Sequence, residues 1–224
     1  MPTATHPRFA RLGLALALTL SALSAHAGLA IQNWTTPSGS KVFFVESRAL
    51  PIVDVQVDFR AAGTEVPADK AGLAGLTRRL LDAGAGTLDE EAIANRVADL
   101  GAQLGGGADM DRASLTLRTL SSPAERDGAV ELLATLIQQP RFPAAAVERE
   151  KARTIAGIRE SETQPDAILA RRFAAAVFPD HAYGRLPTVD SVAGLTRDDL
   201  AAFHARYYTA RGATVSIVGD LSRA

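Results

Sequence analysis

The stretch from Val53 to Arg60 constrains the fold most. Val53, Val55, Val57 and Phe59 alternate with Asp54, Gln56, Asp58 and Arg60. A period of two puts all four apolar side chains on one face of a strand, so the chain must build a sheet with one buried and one polar face. A period change follows at once. Leu73, Leu76, Leu80 and Leu81 fall at i, i+3, i+7 and i+8, which is one stripe of a helix. Strand and helix patterns then recur along the chain, which suggests layers of helices packed on a sheet.

The remaining pattern fills in the order. Leu29 to Thr35 and Lys41 to Glu46 read as strands around a turn at Pro37-Ser38-Gly39-Ser40. Thr87 and Glu90 have the spacing of a capping box before a helix burying Ile93, Val97 and Leu100, with Gly101 as its stop. Gln103–Ala108 and Ala113–Leu120 should pair as strands turning at Asp109-Met110-Asp111. Ser122-Pro123-Ala124-Glu125 combines an N-cap, Pro at N1 and an N3 glutamate, and that helix should run to about Gln139. Further helices are expected over Pro143–Glu162, Pro165–Phe178 and after Thr196, and a last strand over Ala213–Gly219. The fold class is α+β, with helices packed on a mixed, largely antiparallel sheet.

Arg8 and Arg11, the apolar run Leu12–Ala22 and the small-x-small Ala25-His26-Ala27 have the form of a cleaved signal peptide over residues 1–27. The run is too short for a membrane span. The product is expected in the periplasm, with no membrane contact after cleavage. Its loss takes the basic residues from 24 to 22 against 25 acidic, a net charge of −3, which argues against nucleic acid. About 197 residues remain, enough for one domain with a sizeable core. The chain has no cysteine, so disulfides, a lipid-anchored cysteine and a thiol nucleophile are all excluded. No serine sits in a G-x-S-x-G turn.

A series of fragments in fixed order carries a family resemblance. They include Asn33-Trp34-Thr35-Thr36-Pro37-Ser38-Gly39, Ala62-Gly63-Thr64-Glu65, Lys70-Ala71-Gly72-Leu73-Ala74, Leu100-Gly101-Ala102-Gln103-Leu104, Gln139-Pro140-Arg141-Phe142, His181-Ala182-Tyr183-Gly184-Arg185 and Val215-Ser216-Ile217-Val218-Gly219-Asp220. The chain resembles the N-terminal domain of the insulinase/pitrilysin zinc peptidases, the inverzincins. The resemblance implies the LuxS/mitochondrial-processing-peptidase-like metallohydrolase fold. It also implies that residues 28–224 form one half of the family's usual two-domain unit.

In that family an H-x-x-E-H motif on the first helix supplies two zinc ligands and the general base, and a glutamate some 75 to 80 residues later completes the site. The matching positions here read Gly75, Leu76, Thr77, Arg78 and Arg79, and the third ligand position falls on Gly157, 78 residues beyond Arg79. Both histidines are absent, and arginine replaces the catalytic glutamate. Zn²⁺ takes neutral imidazole or anionic ligands, which guanidinium and glycine cannot supply. Glu150 and Glu160 are the nearest carboxylates that a slipped register would bring in. The expectation is therefore no metal, no cofactor and no catalytic residue. His181 and His204 read as a loop contact and a packed helix-face histidine.

Arg78-Arg79 has two readings: a solvated or carboxylate-paired helix face, or an anchor for an acidic peptide or partner group. Arg171-Arg172 reads as a surface pair. Gly105-Gly106-Gly107 reads as a bulge or flexible arm. In the family, extended substrates dock against the edge strand at this point, so Leu104, Gly105, Gly106, Gly107 and Ala108 form a candidate peptide-binding edge. The resemblance implies a non-catalytic peptidase homologue that partners a catalytic zinc-peptidase subunit and shapes its peptide chamber, with extended peptides as further ligands. The alternatives are a zinc metalloendopeptidase by family label, a free-standing peptide-binding module, and a truncated remnant.

Overall fold

A computed structural model describes residues 30–223. The expected signal segment and the start of the first expected strand lie outside the described residues. Among the described residues eight strands run in the order β1 (Gln32–Thr35), β2 (Lys41–Glu46), β3 (Ile52–Phe59), β4 (Gly84–Ala85), β5 (Leu88–Asp89), β6 (Gln103–Gly105), β7 (Ala113–Leu120) and β8 (Thr214–Gly219). Seven α-helices among the described residues accompany them: α1 (Leu73–Arg79), α2 (Glu90–Asp99), α3 (Pro123–Gln138), α4 (Ala144–Ser161), α5 (Pro165–Val177), α6 (Val189–Ala193) and α7 (Arg197–Tyr207). None of the helices described is long and apolar enough to cross a membrane.

Six strands form one sheet in the order β1-β2-β8-β3-β7-β6. Only β2 and β8 pair in parallel; the other neighbours are antiparallel. The expected α+β class, with a mixed and largely antiparallel sheet, is the one observed. The alternation in β3 fixes the register. Val55 faces Leu117 and Ile217, and Val57 faces Leu115 and Val215, so the apolar residues of three strands share one face. On the other face Asp54 lies opposite Arg118, which donates two hydrogen bonds to it at 2.7 and 2.9 Å.

Helices cover the apolar face. The core joins Val57, Phe59, Leu115 and Leu117 of the sheet to Leu73 and Leu76 of α1, Leu133 of α3, Val147 of α4, and Leu200 and Phe203 of α7. Each such side chain contributes about 1.5–3 kcal/mol by leaving water. Helix α1 lies deepest. Ala74, Thr77 and Arg78 are buried along with the leucines, so it is enclosed beyond the single stripe that its leucines define.

Some local expectations are corrected. The α2 cap is Asp89, whose carboxylate accepts from the Ala92 N–H at 2.9 Å. Thr87 instead turns the short β4–β5 hairpin. β6 stops at Gly105, short of Ala108, and β1 begins at Gln32. The short helix α6 and the β4–β5 hairpin carry too few periodic residues to stand out in sequence. Gly101 ends α2 as expected, in the left-handed conformation that suits glycine (φ 57°).

Candidate functional site

The positions singled out in the sequence meet where the C-terminal end of α1 approaches β6 and α4. Gly75, Arg78, Arg79 and Gly105–Ala108 border one cavity of about 360 Å³. Gly157 borders an adjoining depression that also holds Arg79, Arg153 and Thr154. These residues therefore lie near one another, but the two arginines do not act as a pair.

Arg78 points inward. It is 8% exposed, and its Nε donates to the Ser114 carbonyl at 2.6 Å. Its Nη2 donates to the Gly105 carbonyl. Burial pulls its pKa below the usual guanidinium value, against the opposing pull of Asp82. For Arg78 this corrects the reading of the pair as a solvated or carboxylate-paired face: it ties α1 to the last two strands of the sheet. Gly106 completes the arrangement. Its φ is 109°, and a Cβ there would lie 2.1 Å from the Ser114 carbonyl oxygen and 3.0 Å from Arg78 Nη2. Only glycine fits that conformation and that space.

The glycine run is not a bulge. Gly107 and Ser114 exchange both backbone hydrogen bonds, at 3.1 and 2.7 Å, and Ala108 bridges Ala113. Both contacts continue the β6–β7 register without an extra residue. The run is a kinked continuation of the edge strand, held from behind by a guanidinium. Among the described residues no strand pairs with the outer side of β6. By the alternation of an antiparallel ladder, Leu104 and Gly106 turn their backbone groups outward there.

Arg79 points the other way, with its side chain 53% exposed and Nη1 3.6 Å from Glu150 Oε2. Glu150 lies on the buried stripe of α4 with Val147 and Ile158. Its Oε2 is buried without a hydrogen bond, and Arg149 and Arg153 each approach its other oxygen to 3.9 Å. Of the two carboxylates weighed as stand-ins, Glu150 is the one that meets Arg79, while Glu160 borders the depression beside Gly157. The visible signal was a glutamate in step with the apolar residues of α4.

These donors do not fit a divalent cation. Gly75 and Gly157 offer no side chain, a Cβ at either would meet nothing within 4 Å, Glu150 is ringed by three guanidiniums, and Asp82 shares the cavity wall with Arg78 and Arg79. Among the described residues no group of three His, Cys, Asp or Glu side chains is gathered to hold a metal ion. His204 lies elsewhere, its Nε2 2.8 Å from the Ile137 carbonyl and its ring stacked on Tyr208. His181 Nδ1 accepts from the Tyr183 N–H within its loop. Arg171 is no simple surface residue, since it donates to the Pro187 carbonyl at 3.0 Å.

The fold and the degenerate motif positions together define a peptidase-type α+β domain. The family model for insulinase (peptidase family M16) matches residues 42–187. The chain belongs to that family.

It is similar to a solved structure described as the peptidase M16 inactive domain from Pseudomonas fluorescens. Identity is 34% and the TM-score 0.85, over 87% of this chain and 48% of that one. It is 28% identical to an uncharacterised zinc protease of Mycobacterium leprae over 84% of this chain and 42% of the relative. It is 24% identical to the non-peptidase homologue YmxG of Helicobacter pylori over 80% of this chain and 42% of the relative. The chain therefore spans about half the length of the proteins it matches.

Proposed function

We propose that this protein is a non-catalytic member of the insulinase family. In this reading it acts in the periplasm, where it partners a catalytic zinc-peptidase subunit of the same family and helps shape that subunit's peptide chamber. The observation that carries the reading is the use made of the motif positions. Where a catalytic member needs two imidazoles and two carboxylates, this chain has two glycines and two arginines, and one arginine is spent on bracing the edge strand. A buried cation committed to backbone carbonyls is unavailable as a general base and repels a metal ion. The neighbour described as an inactive domain and the relative named a non-peptidase homologue support the reading. The periplasmic placement rests on the signal-like residues 1–27.

The chain would work through shape. The outward edge of β6 can accept an extended peptide by main-chain hydrogen bonds without any chemistry of its own. Co-expression with a relative from the same genome that retains H-x-x-E-H tests the proposal. A stable complex is expected, in which the rate or specificity of the partner's peptide cleavage differs from that of the partner alone. Absence of a complex, together with unchanged cleavage, would reject it. The free-standing peptide-binding module is the second reading, and the unpaired edge of β6 favours it. Peptide affinity in the isolated chain with no effect on a partner would select it.

A further inference from the structure

Arg79 and Arg153 stand apart from the other arginines at this site, each with Glu150 as its one ionic contact. Arg78 is bound to backbone carbonyls and Arg149 to Glu90. Arg79 makes no hydrogen bond among the described residues; its one ionic contact is Glu150 at 3.6 Å. All its donors remain available, in a planar fork suited to a carboxylate. It also sits at a junction, since three separate depressions include it in their walls. One of them runs along Gly105–Ala108 of the kinked edge. Gly75 and Gly157 keep the space around it open, as no atom lies within 4 Å of where their Cβ atoms would be. Arg153 adds a second cation to the adjoining wall.

The geometry points to Arg79 as the reader of a carboxylate on an extended peptide laid along the edge of β6. The inference rests on peptide docking at that edge. The ligand class is an extended, acidic peptide, its carboxylate coming from an Asp or Glu side chain or from the peptide's own C-terminus. Main-chain hydrogen bonds to the edge supply affinity without regard to sequence, and the arginine supplies the selection. Glu150 competes for the same guanidinium from inside. It holds Arg79 in place while the site is empty and weakens its grip on an incoming acid.

The test is fluorescence anisotropy on the purified protein at low salt, with fluorescein-labelled ten-residue peptides of Ala, Val and Ser. One carries a central Glu and an amidated C-terminus. A second carries Gln at that position, also amidated. A third carries Gln with a free C-terminal carboxylate. The Glu peptide should bind about fivefold tighter than the amidated Gln peptide, the gain of a well-formed but partly solvated ion pair. The third peptide shows whether a terminal carboxylate serves as well. Salt should erase the difference. Arg79→Gln should bring the ratio close to one, Arg79→Lys should leave part of it, and Glu150→Gln should enlarge it. Equal binding of all three peptides would overturn the role of Arg79 and leave docking at the edge intact. No binding of any of them would overturn docking and the arginine's role with it.

Discussion

Arg78 shows how one side chain can serve two opposed purposes in related proteins. At its position a catalytic relative places a general base beside a metal. Here a longer side chain passes the helix and donates to the carbonyls of Ser114 and Gly105. A buried guanidinium is costly unless its donors are used, and Gly106 leaves room for it by having no Cβ. Replacing Arg78 with Ala removes these bonds and opens space behind the edge strand. The expected loss is about 1–3 kcal/mol in urea unfolding, with faster amide exchange at Gly107 than elsewhere in the sheet. Unchanged exchange there would mean that the arginine does not brace the strand. None of this was legible in sequence. Adjacent arginines at the end of a helix look like a charged surface, and only the extra enclosure of α1 turns one of them inward.

At the scale of elements, patterning was most readable where burial is one-sided. The β3 alternation and the helix after Thr196 both appear where expected, the latter with a capping box of Thr196 and Asp199. The cap of α2 was misplaced because two acceptors two residues apart, Thr87 and Asp89, can each precede the helix, and the β4–β5 hairpin takes the first. The packing of α7 carries a pH dependence. Burial lowers the pKa of His204 below 6.5, more than its hydrogen bond to the Ile137 carbonyl raises it. The folded state therefore favours the neutral ring. Below pH 6.5 the unfolded chain binds more protons, so stability should fall as pH drops from 6.5 through the lowered value. Thermal unfolding across that range should show the decline in the parent chain and a flatter profile in His204→Gln, which keeps a donor for the carbonyl. Parallel profiles would remove His204 as the cause.

At the scale of the whole molecule, the sheet, its helical cover and the family were readable, because they rest on periodicity and on ordered fragments spread along the chain. The site was readable only as a set of positions. What those positions do depends on direction: Arg78 faces in, Arg79 faces out, and Glu150 is buried on α4 beside Arg79. The central claim is that this frame works without a metal. Zinc content of the dialysed protein, measured by elemental analysis after incubation with excess Zn²⁺, tests it most directly. The account predicts far less than one ion per chain, with no chelator-sensitive cleavage of unstructured peptides. One tightly held ion per chain, lost together with peptidase activity on chelation, would contradict it.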